Sequence, residues 1–77
     1  MGKKQIKTVC WRKFLESKGC LYNRTKSSHE HWKCPNCFRT ITFHGHHKEV
    51  PEFHIKTNLM TMDVTFEEFL KWVEENC

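Results

Sequence analysis

The stretch Lys26-Ser27-Ser28-His29-Glu30-His31-Trp32-Lys33 decides how the rest of the chain is read. It gathers two imidazoles, two hydroxyls, two ammonium groups and one indole into eight residues. A polar run with period-two spacing and one tryptophan suits a half-buried strand better than a helix or a loop. On such a strand His29, His31 and Lys33 point to one face, and Ser28, Glu30 and Trp32 to the other. One solvated row of proton-transfer and phosphate-binding groups then lies above an anchoring side chain. Chemistry is expected there.

Upstream, Ser27 supplies the turn into this stretch, and residues 21–25 read as a short strand in which Leu21 and Tyr22 carry the β propensity. Arg24 and Lys26 share one face and meet solvent or a phosphate. Residues 5–18 form the first helix: Ile6, Cys10 and Phe14 recur at four-residue spacing, and Trp11 and Leu15 widen the stripe. Gly19 stands where a helix C-cap is wanted. Downstream the strand ends at Cys34, and Pro35-Asn36 is the strongest turn signal in the chain. Residues 39–43 then alternate polar and apolar, the pattern of a strand antiparallel to the previous one. Residues 44–51 are too polar and broken for a regular element and read as a loop. Residues 52–62 suit a short helix. Thr65-Phe66-Glu67-Glu68 is a capping box, and Phe66, Phe69, Leu70 and Val73 follow at the spacing of a core-docking helix face.

The resulting order is one helix, three antiparallel strands and one or two further helices. This is an α+β fold of two layers, a three-stranded antiparallel sheet with helices on one face. The expected core is Phe14, Leu15, Leu21, Trp32, Ile41, Phe43, Phe66, Phe69, Leu70 and Val73. With 77 residues the chain makes a single domain, 1–77, close to the smallest size that one apolar core stabilises unaided. A net charge of +4 with six further histidines favours a polyanionic partner. Met1-Gly2-Lys3-Lys4-Gln5-Ile6 has a basic start with no apolar segment behind it, and no apolar run approaches a membrane span. Five cysteines cannot all pair, and without an export signal they are expected as reduced thiols in a cytoplasmic protein.

Helix, strand, then Lys26-Ser27-Ser28-His29 opening a second strand with an aromatic at Trp32 resembles the HicA family of toxin–antitoxin ribonucleases. In that family a Lys-Gly-Ser-His run precedes the second strand of a fold like the double-stranded-RNA-binding domain. The similarity extends to Gly19, to the alternating third strand, to the histidine-bearing loop and to Thr57-Asn58-Leu59 near the second helix. It implies an mRNA interferase that needs no metal, uses His29 as catalytic histidine and is held inactive by a HicB-like antitoxin. Two departures stand out. Ser27 replaces the usual glycine, and Cys34-Pro35-Asn36-Cys37 replaces a turn without cysteines.

Read from chemistry alone, His29 is either a surface histidine or a proton-transfer group, because imidazole titrates near working pH. His31, on the same face, is a second proton-transfer group or a phosphate contact. Arg24, Lys26, Ser28 and Lys33 are candidates for holding RNA, since positive charge and hydroxyls position a phosphate backbone without reading sequence. Cys34 and Cys37, with His44, His46 and further His47, Cys10 or Cys20, compose an alternative zinc site. Three functions therefore compete: an endoribonuclease acting on mRNA, a catalytically silent RNA-binding module, and a zinc-stabilised interaction domain.

Overall fold

A computed structural model describes residues 6–77. The elements are β1 (Ile6–Lys7), α1 (Thr8–Ser17), β2 (Leu21–Lys26), β3 (His29–Lys33), β4 (Ile41–His44), β5 (Glu49–Val50), α2 (Glu52–Met62) and α3 (Phe66–Asn76). Strands β2, β3 and β4 form an antiparallel sheet in that order, and β1 pairs with β5 in a two-stranded ribbon. The α+β class and the three-stranded antiparallel sheet are as the sequence patterns imply, with three helices.

Helix α1 begins later than the apolar periodicity suggests, and Gln5 lies outside the described residues. Ile6 and Lys7 are strand, with Ile6 opposite Val50. The backbone N–H of Thr8 donates to the Lys48 carbonyl at 2.9 Å, and its hydroxyl donates to the His47 carbonyl at 2.6 Å. One orphan N–H of the first helical turn and the Thr8 hydroxyl are thus satisfied by a segment about 40 residues away, which no local pattern announces. The same contact corrects the reading of residues 44–51 as loop throughout. His44 closes β4, and Glu49–Val50 is a strand. At its other end α1 stops as expected. Gly19 takes φ 81°, its N–H reaches Glu16 O at 3.0 Å, and Cys20 N–H reaches Leu15 O at 3.0 Å. That is a Schellman closure around a residue without a Cβ.

The core forms where the inner sheet face meets α1, α2 and α3. Trp11, Phe14, Leu15, Ile41, Phe43, Ile55, Leu59 and Phe69 are almost fully buried. Phe69 meets Phe14 edge-on at 4.8 Å and Trp11 at 5.5 Å, and Trp11 meets Phe43 at 6.3 Å, all favourable T-shaped arrangements. Phe66, Leu70 and Val73 pack against this cluster from its rim and are only partly buried.

Leu21 is 73% exposed and is not core. The cause is a β-bulge in β2. Leu21 pairs with Lys33 and Tyr22 with Trp32, but after the irregularity Arg24 pairs with His31 and Lys26 with His29. One extra residue, Asn23, resets the alternation, so Leu21 joins Arg24 and Lys26 on the outer face.

The cysteines also differ from expectation. Cys10 is bonded to Cys77 and Cys20 to Cys34, leaving Cys37 as the free thiol. The first pair ties α1 to the end of α3, and the second ties the entry of β2 to the exit of β3. Chain folding brings both pairs together across 67 and 14 residues, a proximity that counting thiols does not reveal.

Phe69→Ala removes the ring that three aromatics enclose. Large-to-small changes at such sites cost about 3–5 kcal/mol, so thermal unfolding should show a large drop in Tm. A variant melting like the parent would mean that α3 is not docked on this core.

Candidate active site

The Lys26-to-Lys33 stretch is a hairpin corner and not one strand. Lys26 ends β2, Ser27 and Ser28 form the turn, and His29 starts β3. Both serines adopt left-handed backbone, φ 51° and 68°. A two-residue hairpin turn of the primed type requires this at both positions, because its twist then matches that of the strands. Ser28 therefore does not share a strand face with Glu30 and Trp32. Its carbonyl instead accepts the Gly45 N–H at 2.9 Å, continuing the β3–β4 ladder past His29 and His44.

Cross-strand partners share a face, so the register assembles the outer row. Lys26 lies opposite His29, and His29 opposite His44; Arg24 lies opposite His31, and His31 opposite Thr42. The rings of His29 and His44 approach to 3.9 Å between centroids, inclined by 45°, and His47 stacks on His44 at 4.9 Å and 10°. Lys26, His29 and His44 thus converge at one corner of the outer face. His31 lies one step further along, where its Nδ1 meets Thr42 Oγ1 at 3.2 Å. Lys33 ends β3, four residues and about 13 Å from His29, so it lies at the far end of the row.

The inner face explains Glu30. Its carboxylate accepts from Arg12 Nε at 3.1 Å on both oxygens and from Arg12 Nη2, and it also accepts the Trp32 indole N–H at 3.0 Å. Arg12 Nη2 further donates to the Gly45 carbonyl at 3.2 Å. Gly45 passes so close that a Cβ there would lie 2.8 Å from the Glu30 Cγ and Cδ. A side chain at position 45 would force the Glu30 carboxylate to shift from its place against Arg12.

Electrostatics follow from these contacts. Hydrogen bonds from Arg12 hold the Glu30 carboxyl below the usual carboxylate range, against an opposing effect of burial, with smaller help from the Trp32 N–H. The same hydrogen bond raises Arg12 further. His44 is pulled below the ordinary imidazole value, first by partial desolvation, then by repulsion from His29, His47, His54 and His46.

The alternative zinc set is not brought together. Cys34 follows Lys33 at one end of the β3–β4 pair and is bonded to Cys20, whereas His44 sits opposite His29 at the other end. Among the described residues no group of three or more His, Cys, Asp or Glu side chains is placed to hold a metal ion. Nor is any described helix long and apolar enough to cross a membrane.

Two participants escape the sequence reading. His44 looks like loop because the strand signal ends at Phe43. Arg12 is hidden within an apolar helix face, although Glu30 on an inner strand face signals that a cation must reach it. No family model matches the chain, and no curated protein or solved structure is found similar to it.

Glu30 has a measurable signature. A carboxyl lowered in the folded state stabilises the fold above the ordinary carboxylate value of 4.5 and loses that contribution as pH falls through its lowered value. Glu30→Gln should be less stable than the parent at neutral pH and should show a flatter loss of stability below about pH 4.5. Identical acid unfolding curves would mean that the pair does not form.

Proposed function

We propose that this chain is a metal-independent endoribonuclease of the HicA type, an mRNA interferase in which His29 is the catalytic histidine. The observation that carries this reading is the convergence of Lys26, His29 and His44 on one corner of the outer sheet face. A hairpin tip exposes that corner to a long polymer, and Arg24 and Lys26 line the approach. The succession of α1, three antiparallel strands and α2 supports reading the fold as like the double-stranded-RNA-binding domain, with α3 an addition.

In this reading Lys26 and Arg24 hold the phosphate backbone, and the RNA 2′-hydroxyl attacks the adjacent phosphorus. Departure of the 5′-oxygen leaves a 2′,3′-cyclic phosphate and a free 5′-hydroxyl. His29 transfers one of the two protons involved, and the other is exchanged with a second basic or acidic group at the site or with water. A HicB-like antitoxin is the proposed inhibitor, and the chain's net positive charge of +4 suits an acidic surface on that partner. Messenger RNA as substrate puts the protein in the cytoplasm, where disulfides are short-lived. The proposal therefore requires the fold to survive reduction of both cystine pairs.

Positioned proton transfer contributes about 10²–10⁴-fold, so His29→Ala should slow RNA cleavage by that factor while the circular dichroism spectrum stays unchanged. EDTA and thiol reductant should leave the parent rate intact, and DNA, lacking the 2′-hydroxyl, should be bound and not cut. A single 2′-methoxy group at the cut site should abolish cleavage there. Undiminished cleavage of that substrate, or an equally fast His29→Ala, would end the proposal. Binding of RNA by the parent without any cleavage would identify a silent RNA-binding module instead.

A further inference from the structure

Transesterification of RNA moves two protons, one from the 2′-hydroxyl and one to the departing 5′-oxygen. Building on the ribonuclease reading, we infer that His44 is the second catalytic group, the general base that takes the 2′-hydroxyl proton, while His29 is the general acid. His31 is the other imidazole on this face, but its Nδ1 faces Thr42 Oγ1. His29 and His44 have no hydrogen-bond partner for their ring nitrogens among the described residues, which leaves those nitrogens available to a substrate.

The pair is built by the sheet. His29 and His44 are direct cross-strand partners with ring centroids 3.9 Å apart, and the ladder continues past them through Gly45 N–H to Ser28 O at 2.9 Å. Two imidazolium ions at that separation repel, so the state with both rings protonated is disfavoured. One neutral and one protonated imidazole is the state that the reaction requires. The neighbours favour the neutral form of His44. His44 lies between His29, whose ring is tilted to it by 45°, and His47, which stacks on it; partial desolvation first, and then the neighbouring imidazoles of His29, His47, His54 and His46, disfavour its cation. The Lys26 ammonium enters from β2 opposite His29, and the Arg12–Glu30 pair lies on the other side of the sheet beneath Gly45.

The step balances without a co-reactant. A ring nitrogen of neutral His44 accepts the 2′-hydroxyl proton as the O2′–P bond forms. The P–O5′ bond breaks, and protonated His29 delivers its proton to O5′. The products are the cyclic phosphate, a 5′-hydroxyl, protonated His44 and neutral His29. Proton exchange with water then restores the starting state.

The discriminating substrate is an RNA with sulfur replacing the bridging 5′-oxygen, because a thiolate leaves without protonation. On ordinary RNA both His29→Ala and His44→Ala should lose about 10²–10⁴-fold in kcat. On the sulfur-bridged RNA His29→Ala should recover to near the parent rate, whereas His44→Ala should stay slow. His44→Ala should also lose the acidic limb of the pH–rate profile, an effect that mere misfolding would not produce. A His44→Ala variant cleaving ordinary RNA at the parent rate overturns this inference and leaves the ribonuclease reading standing. Rescue of His44→Ala instead of His29→Ala overturns the assignment of roles. A parent protein inert on ordinary RNA overturns the ribonuclease reading and this inference with it.

Discussion

The contact between Arg12 and Glu30 governs how the two layers meet. Glu30 lies on the inner face of the central strand with a side chain only 12% exposed, where an unpaired carboxylate is costly. Arg12 reaches down from α1 to satisfy it, and so determines which turn of the helix lies over which residue of β3. The guanidinium has a donor left for the Gly45 carbonyl, and the carboxylate has capacity left for the Trp32 indole. One ion pair thereby joins the helix, the central strand and the crossing that follows β4. Because Gly45 immediately follows His44, the inner-face pair also governs the outer-face imidazole.

Around that joint the sheet separates two kinds of work. Trp32, Ile41 and Phe43 face inward and bury apolar area, which stabilises the domain. Their neighbours His31, Thr42 and His44 face outward, spaced by the same pleat. Since one backbone serves both faces, rigidity gained from the core is passed directly to the imidazole pair. The two cystine pairs reinforce this arrangement at its margins, one closing the β2–β3 hairpin at the end opposite its turn, the other clasping α3 to α1.

Much of the frame was legible. The α3 helix follows from its apolar spacing, and its cap forms as the box predicts in one half: Thr65 Oγ1 accepts the Glu68 N–H at 3.1 Å. The other half does not form, since the Glu68 carboxylate bonds Lys18 Nζ at 3.1 Å instead. Pro35-Asn36 turns as anticipated, with Asn36 at φ 65° and Cys37 N–H bonded to Cys34 O. The outward facing of His29 and His31 and the inward facing of Trp32 also follow from strict alternation. Alternation failed at Leu21, where one bulged residue moved it to the other face. Ser27 turns the chain as its position implies, whereas Ser28 belongs to the turn and not to the strand, because serine carries no obligatory turn signal, unlike glycine or proline.

By itself the sequence determined the helix faces, the alternating strands, the turn at Pro35 and the concentration of imidazoles in the middle of the chain. These are local matters, decided by spacing and by the conformational limits of single residues. Only the tertiary structure decided that His44 stands opposite His29, that Arg12 answers Glu30, that Cys34 is taken by Cys20, and that Ile6 pairs with Val50. Each of these joins residues between 14 and 44 positions apart. Their proximity is set by register and packing, which depend on the whole chain closing around one core and not on any segment of it.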